Sequence, residues 1–289
     1  MKIQSPDNTA AVNAVEDFTT IDIKPAKGLV PLNLYELWEF RDLAFFMLWR
    51  DIKSAYRQTA FGPLWMIVTP IVNVFISTII FYKVAKLPSD GVPYPIFNLA
   101  GILGWTFFSS CLTAATDSLA GYKNLMSKVY FPHLIIPVIG VLKAAVDILI
   151  LFAMLLGLMF YYGFMPGWQI LLLPVFFSLA AFTGLGIGLW LAPWVVHFRD
   201  VNKVVEYLLR GWMYATPIVY ASSLIPAKWQ TLYHLNPMTN VVEGMRWLLL
   251  GAPSPSMAMV VISFVATISL TVAGAYYFRR AERSIVDIA

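Results

Sequence analysis

The sequence predicts an all-α integral membrane protein: six transmembrane helices, an N-terminal amphipathic helix in the interface, and a re-entrant helical hairpin before the last span. Three observations carry this expectation. Only 12% of the 289 residues are charged and 59% are hydrophobic, with a mean hydropathy of +0.71, whereas soluble domains carry about 25% charged residues. Uncharged runs of bilayer-crossing length recur along the chain, most of them closed by charged residues. Lys and Arg gather beside one set of span ends.

Residues 1–33 are polar, mixed in charge and punctuated by Pro6, Pro25, Gly28 and Pro31, so a poorly ordered cytoplasmic tail is expected there, without the apolar stretch of a signal peptide. From Leu34 to Arg57 the spacing of Leu37, Trp38, Phe45, Leu48, Trp49 and Ile52 gives one apolar helical stripe, with Glu36, Glu39, Asp42, Asp51 and Lys53 between them. Such a stripe under a charged face describes a helix lying in the membrane interface. From Gln58 the charges stop for 25 residues, and the first span is expected over residues 61–82.

Gly91 to Thr116 is uncharged for 26 residues and predicts a second span at 95–117. Pro132, Pro137 and Gly140 interrupt the helical pattern beyond it, so a short separate helix near Tyr122–Tyr130 precedes a third span at 141–162. Ile148 to Phe198 contains no Asp, Glu, Lys or Arg in 51 positions, about 75 Å as one helix against a hydrocarbon core of about 30 Å. Two spans must share it. The turn GFMPGW (163–168) divides them, and the fourth span runs over 168–196.

The fifth span, expected at 204–221, opens with Glu206 and Arg210 at i, i+4 spacing as a helix-end brace and contains Pro217. Asn236 as N-cap, Pro237 at the first position and Gly251 at the stop then define a helix of roughly 14 residues, about 21 Å, too short to cross. It reads as half of a re-entrant hairpin, which is permissible at membrane depth only if its backbone is buried against protein. The sixth span lies at 256–278. Eleven Lys and Arg flank one side of the spans and four the other, which puts both termini in the cytoplasm.

Motifs for chemistry are sparse. No GxxxxGK[ST] or GxGxxG occurs, the three histidines are isolated, and no His/Cys/carboxylate cluster has metal spacing. The membrane-edge carboxylates do not pair at short spacing, so an enzyme is not expected. The basic residues sit beside spans, and nucleic acid is not required to explain them. Lys143 and Asp147 are one turn apart. With the third span starting near Val141, both reach the interface; deeper placement would mark a functional pair. Aromatic faces suit the apolar C–H faces of sugar rings, and Trp65, Phe75, Trp105, Phe107 and Phe108 are the candidate channel lining.

The segments RDIKSAYRQTAFGPLWMIVTP (50–70), YKNLMSKVYFPHLIIP (122–137), HFRDVNKVVEYLLRGWMYATPIVY (197–220) and NPMTNVVEGMRWLLLG (236–251), in this order within a six-span layout, resemble the transmembrane permease subunit of ATP-binding-cassette polysaccharide exporters for O-antigen, capsule and teichoic acid. The likeness covers nearly everything after residue 33, which makes 34–289 a single permease domain. It implies a homodimer with two copies of a separate ATPase subunit that binds ATP and Mg, the permease itself holding no cofactor. The implied cargo is a lipid-linked, O-antigen-like polysaccharide on an undecaprenyl diphosphate carrier, moved across a bacterial inner membrane. Carried onto this sequence, the resemblance sets Glu39, Asp42, Arg50, Lys123, Lys128, Arg199 and Asp200 against the ATPase, and Asn236, Pro237, Glu243 and Arg246 in an outer gate. Export of teichoic acid, a lipid or a drug, and secondary transport, are the alternatives.

Overall fold

A helix without charge and with small residues on several faces can be surrounded by other helices. Tyr94–Thr116 is such a helix, and the structure is built around it. The computed structural model describes residues 34–57, 64–126, 130–198 and 200–286, and all regular structure among them is helical. The helices are α1 (Leu34–Glu39), α2 (Arg41–Arg57), α3 (Leu64–Ser77), α4 (Tyr94–Thr116), α5 (Ser118–Gly121) and α6 (Lys123–Met126). They continue with α7 (Ile135–Tyr161), α8 (Leu173–His197), α9 (Val201–Ala215), α10 (Ala227–His234), α11 (Pro237–Leu250) and α12 (Met257–Val286). Among the described residues five helical stretches are long and apolar enough to cross a membrane: Ile67–Val84, Tyr94–Thr116, Ile135–Tyr161, Trp168–His197 and Met257–Glu282. The first is α3 extended by the wider i→i+5 turns of Thr78–Val84.

Glycine spacing explains why α8 lies between α4 and α12. A Cβ on Gly184 would sit 2.7 Å from the Phe108 carbonyl oxygen, and one on Gly188 would sit 2.9 Å from that of Leu112. Gly186, half a turn round, faces α12, where its Cβ would lie 2.8 Å from Thr271 Oγ1. The GLGIG run therefore lets two backbones approach α8 from opposite sides. α3 by contrast is mostly exposed, with Ile71, Phe75 and Ile80 facing outward.

At one end of the bundle, which we call the α2 end, Leu43, Ala44, Met47 and Leu48 of α2 pack on Phe131, Ile135 and Ile139. Trp38, Phe45, Phe46 and Trp49 point away from the protein, each at least 60% exposed. The stripe expected from sequence thus divides into an aliphatic face toward α7 and an aromatic face outward. α1 is tied to α12 by Glu36, which meets Arg279 at 3.3 Å and accepts from Tyr130 at 3.2 Å.

Two expectations change. α7 begins at Ile135, six residues before Val141, because Pro137 sits in the first turn, where its missing N–H costs nothing. The expected fifth span is helical only over Val201–Ala215, 15 residues and about 22 Å. Thr216, preceding Pro217, is extended at φ −107 ψ 141, as steric contact with the proline ring demands. The segment is nonetheless pinned to both ends of α4. Asn202 Nδ2 donates to Asp117 at 2.6 Å, and Tyr94 Oη donates to the Val219 carbonyl at 2.7 Å.

At the opposite, hairpin end, α11 is almost wholly buried against the first turns of three long helices. Val241 and Met245 meet Gly104 of α4, Gly244 meets the Phe176 ring of α8, and Asn240 donates to Ser263 of α12 at 2.8 Å. Asn236 caps it by accepting from Met238 N at 3.0 Å, and Gly251 ends it at φ 69. These are the start and stop that the sequence indicates.

A Gly188→Leu substitution drives a side chain into α4 where even a Cβ reaches Ala115. It is expected to destabilise the fold by about 2 kcal/mol or more, read as a lower thermal midpoint and lower yield in detergent, while Gly157→Leu, with open space around it, leaves both unchanged.

Candidate functional site: a polar groove across the bundle

α4 carries a second pattern inside its apolar sequence: Thr106, Ser109, Ser110, Thr113 and Asp117 recur at three- and four-residue spacing. A stripe of hydroxyls results, and it lines a groove that opens between α4, α7 and α9. The middle section, about 550 Å³, is bounded by Trp105, Ser109, Thr113, Lys143, Glu206 and Arg210. Through Ala114, Gly140 and Lys143 it joins a section of about 400 Å³ toward the α2 end, reaching Asp51, Ser54 and Tyr122. Through Ser110, Ala144 and Asp147 it joins one of about 330 Å³ that reaches Thr69 and Pro70 of α3. The groove therefore runs from the α2 end to the middle of α7.

Its walls carry charges. Lys143 Nζ lies 3.4 Å from Asp147 Oδ2, and about a third of each side chain is exposed, toward the groove. Because α7 starts at Ile135, the pair sits about 12 and 18 Å along a helix that is about 40 Å long, rather than in its first turns. On α9, Arg210 lies over the Tyr207 ring at 5.7 Å; among the described residues no ion pair joins it to Glu206, so the expected brace is replaced by two charges on the groove wall.

At the α2 end the groove floor is fixed by hydrogen bonds. Tyr122 donates to Asp51, whose other oxygen accepts from Arg50 at 2.9 Å, while the Arg50 guanidinium lies 5.4 Å over the Tyr122 ring. Burial, and then the Asp51 hydrogen bond, push the Tyr122 hydroxyl up to about 12, so it remains a donor at neutral pH. Asp117, at the end of α4, is held above the usual carboxylate range by burial and by Glu206, against the lowering effect of the Asn202 amide.

The five aromatic candidates do not form one track. Trp105 and Phe108 meet at 5.1 Å and both pack edge-on against Trp212 of α9, at 6.2 and 5.0 Å. Phe107 turns to Phe177 of α8 at 5.2 Å, Phe75 is 65% exposed on α3, and the Trp65 side chain lies outside the described residues. Sequence reasoning missed Trp212 and the hydroxyl stripe. The stripe was legible as a 3–4 periodicity; Trp212 gave no signal apart from its helix position.

Of the residues expected to meet an ATPase, Glu39, Asp42 and Asp200 are exposed, and Arg50 is engaged with Asp51 and Tyr122. The Lys123 side chain, Lys128 and Arg199 lie outside the described residues. At the hairpin end, Arg246 is 4% exposed and donates to the carbonyls of Ile218 (2.7 Å), Tyr220 (3.4 Å) and Phe97 (3.4 Å), with its guanidinium 3.5 Å over the Phe97 ring. Asn236 accepts from Trp212 Nε1 at 3.1 Å and donates to Thr216 at 3.0 Å. Glu243 lies 3.5 Å from His234, and Pro237 occupies the first position of α11. Asn236 and Arg246 thus close on the unwound end of α9, whereas Glu243 faces α10.

A family model described as ABC-2 type transporter matches residues 43–250. The chain belongs to the ABC-2 type transporter family. It is similar to the O-antigen export system permease protein RfbA of Myxococcus xanthus, 27% identical over 80% of this chain and 90% of that one. A Klebsiella pneumoniae protein of the same description is 26% identical over 88% of this chain and 97% of its own. The polysialic acid transport protein KpsM of Escherichia coli is 25% identical over 82% and 93%. As a member of the ABC-2 family with five apolar helices, this is a multi-pass membrane protein, and the matched region contains the whole groove and α11.

If Lys143 and Asp147 act as a pair, removing one leaves an uncompensated, partly buried charge on the groove wall. Asp147→Leu is expected to lower the thermal midpoint by several degrees, about 2–4 °C per kcal/mol, and the Lys143→Met/Asp147→Leu double variant to recover at least half of that loss. Additive losses in the cycle would show that the two residues act independently.

Proposed function

We propose that this chain is the permease subunit of an ATP-driven exporter that passes a lipid-linked, O-antigen-like polysaccharide across the inner membrane of a Gram-negative bacterium. The observation that carries the reading is the hydroxyl-lined groove within a region that matches O-antigen export permeases over at least nine tenths of their length. Sugar hydroxyls exchange hydrogen bonds with Ser and Thr readily, and the Trp105–Phe108–Trp212 cluster beside the groove offers apolar ring surface. A groove open on one face is half a channel. In this reading a second copy of the chain supplies the other half, with Trp105 and the Arg210 wall facing the path.

The topology we propose has six crossings and both termini in the cytoplasm. The fifth is α9 followed by extended backbone, supported by the contacts that pin Asn202 and Val219 to the two ends of α4. α10 and α11 form the re-entrant hairpin, supported by the burial of α11 among three long helices. Residues 1–33 are the cytoplasmic tail and 34–289 the permease domain. The outward aromatic face of α1 and α2 rests in the interface. Glu39, Asp42, Arg50, Lys123, Lys128, Arg199 and Asp200 would meet two copies of an ATPase subunit that holds ATP and Mg, the permease itself holding neither in this reading. Asn236, Pro237, Glu243 and Arg246 belong to the outer gate.

Secondary transport has one observation in its favour: Lys143 and Asp147 form an ion pair within a long apolar helix, and such transporters keep ionisable residues in their spans. One experiment separates the readings. Gentle purification from the native membrane is expected to bring down a subunit with a GxxxxGK[ST] loop, and replacing its lysine should abolish ATP hydrolysis and leave the cell without surface polysaccharide. Recovery of the chain alone, normal surface polysaccharide in cells lacking it, or transport that follows a proton or sodium gradient without ATP would overturn the exporter.

A further inference from the structure

A second cavity, separate from the groove, lies at the hairpin end. It measures about 430 Å³, within the range of small-molecule sites, about 300–1,000 Å³. Five pieces of chain build it: the turn before α4, the single turn Ser222–Leu224, α10, α11, and the segment after Gly251. Its wall is polar and positioned. Ser223 donates to Asp90 at 3.0 Å, and Glu243 lies 3.5 Å from His234. The Tyr233 ring is held by contact between its hydroxyl and that of Tyr220.

Two features show that the cavity is constructed rather than left over. Among the described residues, Asp90 is one of two non-glycine residues with positive φ, at 50°. That left-handed conformation is strained for most side chains and tolerated by Asp, and it brings the carboxylate to Ser223. Arg246, on the floor, has Nε, Nη1 and Nη2 each directed at a backbone carbonyl and one face against Phe97. Three of its N–H groups are thereby committed to carbonyls, so the guanidinium is held on the floor of the cavity. Also lining the space are two carboxylates, the His234 imidazole beside Glu243, serine hydroxyls, the Gln230 amide and the Tyr233 ring. Carboxylates that take paired hydroxyl donors, amides and hydroxyls that take the rest, and an aromatic face for apolar C–H surface together describe recognition of a pyranose.

We propose that this cavity is an exit-side subsite for one or two sugar residues of the passing glycan, selective for uncharged or amino sugars. The proposal rests on the exporter reading above. Selectivity follows from charge: Asp90 and Glu243 line the cavity, and the one guanidinium there, Arg246, is fixed by three carbonyls and offsets only one of the two carboxylates, so an acidic sugar would add a third carboxylate to a wall whose charged side chains already sum to a negative charge. Held there, the emerging chain is hindered from slipping back while the permease resets.

The test uses the intact permease–ATPase complex in lipid nanodiscs, probed by saturation-transfer NMR. The probes are the methyl glycosides of glucose and N-acetylglucosamine, with the methyl glycoside of sialic acid for comparison. Expected are clear signals from the two neutral glycosides, at least fivefold weaker signal from the sialoside, and at least fivefold loss of the neutral signals in Ser223→Trp, which fills the cavity. Glu243→Gln, which keeps the shape, is expected to reduce them about threefold and to raise the relative signal of the sialoside, a change that misfolding would not produce. Neutral signals that survive Ser223→Trp, a sialoside as strong as the neutral probes, or no glycoside signal from a complex that exports polysaccharide would each overturn the subsite and leave the exporter standing. A complex that hydrolyses ATP but exports no glycan would overturn both.

Discussion

Backbone that leaves the helical state inside a packed bundle must find partners for its carbonyls, and this structure meets most of that demand with one arginine. Pro217 ends α9 early, and the carbonyls of Ile218, Val219 and Tyr220 emerge without helical acceptor roles. Arg246 takes the first and third, Tyr94 takes the second, and Asn236 holds Thr216. The same guanidinium reaches Phe97 of α4. One residue of a short helix thereby joins the unwound strand, the central helix and the hairpin. A buried arginine is expensive to desolvate. Here it is compensated by three carbonyls and a ring face, which makes α11 inseparable from the end of α9. Any motion of the proposed gate has to carry these contacts along or exchange them together.

The groove follows from a different balance. α4 could have been apolar all round, and its burial against α8 and α11 requires only Gly101, Gly104 and the aliphatic face. The hydroxyl stripe on its remaining face lines open space, and α7 and α9 present Lys143, Asp147, Glu206 and Arg210 along it. Opposite charges are distributed over both walls. Such a surface hydrates well and holds no fixed ion strongly, which suits passage of a neutral, hydroxyl-rich polymer better than tight binding of a charged one. The small cavity at the hairpin end differs: its carboxylates are positioned by hydrogen bonds and one strained turn, the mark of recognition rather than conduction.

Charge-free run lengths were enough to locate α4, α8 and most of α12, since a helix in hydrocarbon needs a fixed number of apolar residues whatever its neighbours are. The caps at Asn236 and Gly251 were equally readable, because capping is a local matter of backbone groups and side chains a few residues apart. The start of α7 was not. Pro137 and Gly140 read as breaks, yet one falls where its N–H is not needed and the other lets Ala114 approach. That shift of six residues places Lys143 and Asp147 two to three turns inside α7 rather than in its first turn.

The directions of the aromatic side chains were not readable either: Phe107 and Phe108 are neighbours in sequence and point to different helices. Composition and spacing alone determined that this is an all-helical membrane protein, where α4, α8 and most of α12 run, and where α11 begins and ends. Only the tertiary structure decided which faces those helices turn to one another, and with them the groove, the placement of its charges, the role of Arg246 and the cavity beside Asp90. Hydrophobic length and capping act within one segment and are written along the chain. The meeting of Arg246 with Ile218, or of Trp105 with Trp212, depends on how separate helices rotate and cross, which is settled by packing across the whole bundle.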